Sequence, residues 1–88
     1  MSTIVVRHKV GNFDIWIAGH EERKKVFSSA VSSFKTFQDT DDPTSVLIVM
    51  EVTDMEKLQS VLNDPDIEPA KKAHTVIEPI VLSTEVEV

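Results

Sequence analysis

His8 and His20 are the side chains of this sequence best suited to moving a proton. They flank the stretch Lys9-Val10-Gly11-Asn12-Phe13-Asp14-Ile15-Trp16-Ile17-Ala18-Gly19. An imidazole ionises near neutral pH, so a neutral histidine beside a ligand can take a proton from a phenol or from a carbon next to a carbonyl. Phe13 and Trp16, three residues apart, would supply aromatic walls for such a site. The competing reading is that each histidine is packed and hydrogen-bonded to a neighbour, and that the two rings are core. Other chemistries find little support. There are three histidines and no cysteine, and no HxH, HxxxH or histidine–carboxylate cluster stands at ligand spacing, with His74 far along the chain on a loop. No metal is expected. Gly11 and Gly19 are the two glycines, so no glycine-rich loop can cradle a phosphate, and no cofactor is expected. Asp41-Asp42 precede Pro43 and read as a turn, and no serine lies in a nucleophile motif.

The elements that must position these residues follow from patterning. Residues 3–10, rich in β-branched types, predict a strand. Asn12 is a candidate N-cap, with Asp14 favourable in the first turn, and Phe13, Trp16, Ile17, His20 and Lys24 recur at helical spacing to about residue 25. Serines 28, 29, 32 and 33 make a polar connection into a strand at 31–38. The acidic Asp-Thr-Asp-Asp-Pro-Thr turn leads to the strongest strand, 45–52. Asp54 caps a helix bearing Met55, Leu58, Val61 and Leu62. A short helix restarts with Asp64 as cap and Pro65 at its first position, kept brief by Pro69. A last strand is expected at about 79–87. The order β-α-β-β-α-β predicts an α+β, ferredoxin-like domain over 1–88, a four-stranded antiparallel sheet with helices on one face.

An internal repeat sharpens the placement. A shift of 42 residues lays Val10 over Val52, Asn12 over Asp54, Phe13 over Met55 and Trp16 over Leu58. Ile4, Val6, His8 and Val10 then match Val46, Ile48, Met50 and Val52, a wholly apolar set expected beneath the helices. His8 takes the place of Met50, and His20 that of Leu62. Both histidines are thus expected to look inward, with Phe13, Trp16, Met50 and Leu62 as substrate-binding candidates around them. The opposite sheet face mixes Val5, Leu47, Val49 and Val81 with charges, a pattern expected of an interface and here of a homodimer.

Composition limits the partners. Nine Lys and Arg stand against fifteen Asp and Glu, a net charge of −6, which disfavours nucleic acid. The basic runs Arg23-Lys24-Lys25 and Lys71-Lys72 come late in expected helices and suit the helix dipole. No apolar run approaches the ~20 residues of a membrane helix, no basic-then-apolar leader precedes the first strand, and no cysteine is present. A cytoplasmic setting without membrane contact is expected.

The segments His-Lys-Val-Gly-Asn-Phe-Asp-Ile-Trp (8–16), the run from Asp41 through Leu58, and Asp64 through Ala73 resemble the dimeric α/β-barrel superfamily. Within it the chain is similar to small cyclase-like proteins related to the antibiotic biosynthesis monooxygenases, over about residues 4–82. The resemblance implies a dimeric barrel and, in some members, cofactor-free oxygenase, cyclase or isomerase chemistry on aromatic substrates. His8, Phe13 and Trp16 fall on matching positions. Relatives often carry an aromatic residue at His20 and a histidine at Arg23, and their Ala-Gly-Val stands here as Ala73-His74-Thr75-Val76. The expectation is a small apolar or aromatic ligand, with His8 as base, His20 assisting and Trp16 shaping the pocket. The alternative is a dimeric binding or scaffold module whose pocket is filled by its own side chains.

Overall fold

A computed structural model describes residues 2–86 and Val88; Met1 and Glu87, the expected end of the last strand, lie outside the described residues. The elements are β1 (Ser2–Val10), α1 (Phe13–Ala18), α2 (His20–Phe27), β2 (Val31–Gln38), β3 (Ser45–Val52), α3 (Met55–Leu62), α4 (Ile67–Ala73) and β4 (Val76–Thr84). The strands form one antiparallel sheet in the order β2-β3-β1-β4, under a single helix layer. This is the ferredoxin-like α+β fold. No helix is long and apolar enough to cross a membrane.

Strand alternation builds the core. Ile4, Val6, His8 and Val10 of β1 are buried, as are Val46, Ile48, Met50 and Val52 of β3. These central strands lie side by side, with Val6 opposite Ile48 and Ile4 opposite Met50, so one continuous face meets the helices. Trp16 and Leu58 are wholly buried on it, at equivalent places in the two halves of the repeat. Their helices start alike. Asn12 Oδ1 accepts from the Ile15 N–H and Asp54 Oδ1 from the Lys57 N–H, each at 3.1 Å. Both caps satisfy an otherwise unpaired donor of a first turn.

Three elements differ from the sequence expectation. The first helix is two segments, broken at Gly19. Its N–H bonds back to the Trp16 carbonyl, tightening the end of α1, and a Cβ there would lie 2.5 Å from the His74 ring. Gly19 is thus the residue that lets α4's end close on the α1–α2 junction. The last short helix begins at Ile67 rather than Pro65. The Asp64 carboxylate accepts from the Asp66 N–H, and the Asp64 carbonyl from the Ile67 N–H, so these residues form a turn before α4. β4 starts earlier than expected because Val76 and Ile77 pair with Val10 and Lys9. The register then jumps between Arg7 and Lys9, and this bulge absorbs Pro79, which has no N–H for a ladder.

The helix-free face carries rows that cross the whole sheet. Val81, Arg7, Leu47 and Phe37 make one, and Ser83, Val5, Val49 and Lys35 the next. Phe37 and Val81 are exposed, while Val5, Leu47 and Val49 are half-buried.

Candidate functional site

His8 stands where β1 meets the β4 bulge, and this decides its orientation. Its Nδ1 lies 2.9 Å from the Lys9 carbonyl oxygen. A carbonyl only accepts, so Nδ1 carries the proton and Nε2 keeps its lone pair. Among the described residues Nε2 has no hydrogen-bond partner. His8 is 7% exposed, and its ring meets Trp16 edge to face, with ring centres 5.7 Å apart. Burial lowers its pKa below 6.5, the Lys9 carbonyl pulls the other way, and the Arg23 charge lowers it further. At neutral pH His8 is therefore an uncharged base.

Beside His8 a cavity of about 110 Å³ opens between the sheet and the helices. Val6, His8, Ile48 and Met50 form its floor. Trp16, Arg23 and Phe27 form one wall; Leu62, Ile67, Ala70 and His74 form another, closed below by Val76 and Ile80. Its lining is overwhelmingly apolar with a few polar groups, the usual character of a small-molecule site. An engineered apolar cavity of about 150 Å³ accepts benzene, so a single ring filling this space and its mouth is the right scale.

Of the sequence candidates, His8, Trp16, Met50 and Leu62 share this cavity. Phe13 does not line it; the Phe13 ring packs behind Trp16, with centres 5.9 Å apart. His20 lies elsewhere. Its Nδ1 shares a 3.2 Å hydrogen bond with Thr36 Oγ1, and its ring packs near Phe34. Thr36 belongs to β2, two strands from β1 in the sheet order, which is about 10 Å at ordinary strand spacing. His20 and Leu62 occupy equivalent helix positions, but the twofold repeat sends them toward opposite sheet edges. The two histidines are both turned toward the sheet and are not brought together.

Arg23 and His74 enter the site in their place. Arg23 Nη2 donates to the Trp16 carbonyl at 2.5 Å, and its guanidinium carbon lies 4.2 Å from the Trp16 ring centre. Arg23 Nη1 and Trp16 Nε1 are buried without partners. Burial lowers the Arg23 pKa to about 10, with Glu22 opposing, which leaves it a cation at neutral pH. Its neighbours Lys24 and Lys25 remain exposed in the last turn of α2, where they do suit the dipole. Arg23 had a visible signal, since Trp16, His20, Arg23 and Phe27 follow one inward helical stripe. His74 had none, because the α4–β4 turn that holds it depends on Thr75. Thr75 has a φ of 60°, and its Oγ1 bonds both the N–H and the carbonyl of Asn12. Among the described residues no group of His, Asp or Glu side chains is placed to hold a metal ion.

Fold and site together define a ferredoxin-like chain with a sheet–helix pocket. Solved structures share this fold over almost their whole length. One is an antibiotic biosynthesis monooxygenase, with a TM-score of 0.73, 16% identity, and coverage of 100% of this chain and 99% of that one. Another is SnoaB, a cofactor-independent oxygenase from Streptomyces nogalater, with a TM-score of 0.74, 16% identity, and coverage of 99% and 94%. A protein from Agrobacterium tumefaciens matches with a TM-score of 0.72, 11% identity, and coverage of 100% and 94%. These structures share the ferredoxin-like fold of the single chain and include proteins of the group that the sequence resembles. No protein-family model and no curated protein matches the chain.

Proposed function

We propose that the cavity binds one small, mainly apolar or aromatic molecule and that His8 removes a proton from it. The observation that carries this reading is the neutral His8, with Nδ1–H tied to the Lys9 carbonyl and Nε2 unpaired beside an apolar cavity. A base so held needs no reorientation before it accepts a proton. The acidic group would be a phenol or a carbon beside a carbonyl. The resulting anion can return the proton at another atom, which is isomerisation, or attack an internal carbonyl, which is cyclisation. It can also give electrons to dioxygen. In that case an activated CH2 and O2 become C=O and H2O: one oxygen atom ends bonded to carbon, and the other leaves as water with the two hydrogens. The fold shared with a cofactor-independent oxygenase supports the last route. No cofactor is needed for any of the three.

The helix-free face supports a homodimer, in which two sheets pack face to face as a barrel and leave one cavity per subunit. A reducing, cytoplasmic setting fits a chain without disulfides.

The test is a panel of phenols, cyclic ketones and quinones screened by thermal shift against the purified chain, then assayed for turnover with and without oxygen. A ligand at one hundred times its dissociation constant adds about 2.7 kcal/mol of stability. Loss of turnover in His8→Ala, with ligand binding retained, is the expected result. Unchanged turnover would remove His8 as the base, and binding without turnover in any assay would make the chain a binding module.

A further inference from the structure

We propose that Arg23 makes this cavity selective for a ring compound bearing one negatively charged oxygen, a carboxylate or a phenolate. The inference rests on the cavity being a ligand site and adds the chemical class of its ligand.

Four charged or potentially charged side chains reach the cavity: Glu22, Arg23, Lys71 and His74. Glu22 is largely exposed at the mouth, where its charge favours the Arg23 cation without an ion-pair contact to it. Lys71 is already matched, 3.1 Å from Glu68 and 3.5 Å from Glu78. His74 Nε2 lies 3.9 Å from the exposed Glu22 carboxylate. Arg23 makes no ion pair among the described residues. Its structural duties involve Nη2 and the guanidinium face, through the Trp16 carbonyl and the Trp16 ring. Neither balances the charge or uses Nη1, which is buried and unpartnered. Arg23 is half-buried as a residue, but a buried donor left without a partner is costly, and Nη1 is such a donor. Helix-dipole compensation does not explain the cation, since the dipole falls to Lys24 and Lys25 at the solvent side. A second unpartnered donor, Trp16 Nε1, is buried on another residue of that wall. Two unpartnered N–H donors and a guanidinium without an ion pair beside an apolar cavity favour an acceptor oxygen with a single negative charge, reached by a small shift of the Arg23 side chain. His8 adds the matching acceptor for a ligand that arrives protonated. An acidic phenol or enol that passes its proton to Nε2 becomes the anion that Arg23 favours. A cation would meet only repulsion from Arg23. The cavity's size limits the enclosed part of the ligand to about one ring.

The experiment is calorimetric titration of the full chain at neutral pH with two ligand pairs. Benzoate against benzamide tests a carboxylate; 4-nitrophenolate against 4-nitroanisole tests a phenolate. Trp16, the single tryptophan, gives a second readout from the cavity wall. In at least one pair the anion is expected to bind about tenfold or more tightly than its neutral partner. Arg23→Met should erase that preference, bringing the anion-to-neutral affinity ratio near one, and Arg23→Lys should keep part of it. Arg23→Met also removes the bond to the Trp16 carbonyl; if it does not fold, the wild-type ratios and Arg23→Lys decide. Neutral ligands binding as well as anions in both pairs, or a preference that survives Arg23→Met, overturns the inference alone. Absence of binding by any ring compound, charged or neutral, overturns the cavity reading and the inference with it.

Discussion

His8 couples the site to pH through its own burial. The unfolded chain takes up this proton near the ordinary 6.5, whereas the folded chain does so only at lower pH. Between those values the unfolded state binds more protons, so stability falls as pH drops below about 6.5 and this contribution is intact above it. His8→Met, which restores the residue type of Met50 in the repeat, should remove that acid-side loss. Urea denaturation at mildly acidic and mildly alkaline pH will show it as a smaller pH dependence in the variant. Arg23 presses on the same equilibrium. Removing its charge in Arg23→Met should move the His8 titration upward, though still below the ordinary range, because burial is the larger cause. An imidazole NMR titration that left His8 in place would mean that Arg23 does not act on it.

At the scale of elements, the two halves of the fold start their helices with the same device. Asn12→Ala and Asp54→Ala each remove one side-chain acceptor from a first turn and should each cost about 1 kcal/mol by denaturant unfolding. The α1–α2 break carries a different constraint. Gly19 leaves room for the His74 ring, so Gly19→Ala must push that ring aside. The expected outcome is a destabilised Gly19→Ala chain whose loss largely disappears in a His74→Ala background. A double-mutant cycle measures the coupling, and additive effects would show that the contact has no energetic weight. His74 lines the cavity, so Gly19→Ala, by displacing its ring, should also change ligand affinity.

For the whole molecule, the helix-free face is the open question with the clearest physical stake. Phe37 and Val81 stand exposed on it at 48% and 41%, with Leu47 between them in the same row. A second copy packed there would remove this apolar area from water, and the gain scales with that area. The chain should sediment at twice its own mass at micromolar concentration. Leu47→Glu, which places a charge mid-row, should sediment at the monomer mass. A wild-type chain that sediments as a monomer would end the barrel proposal.

The sequence by itself determined the element order, the bounds of β2 and β3, both caps and the inward face of the central strands. These are local properties, set by the spacing of apolar residues and by side chains that reach their own backbone. It also marked His8 and Trp16, because alternation in β1 and helical spacing in α1 aim both at the same layer. What it left open was which inward side chains meet. His20 and Leu62 hold equivalent positions, yet strand order sends one to β2 and the other toward β4. Arg23 belongs both to a basic run and to the stripe of Trp16, His20 and Phe27, and the packing of α2 over Trp16 decides that it faces in. His74 reaches the cavity because a strained Thr75 and an absent Cβ at Gly19 let a distant turn close. Such proximities depend on how elements cross in space, which no spacing along a single strand or helix encodes.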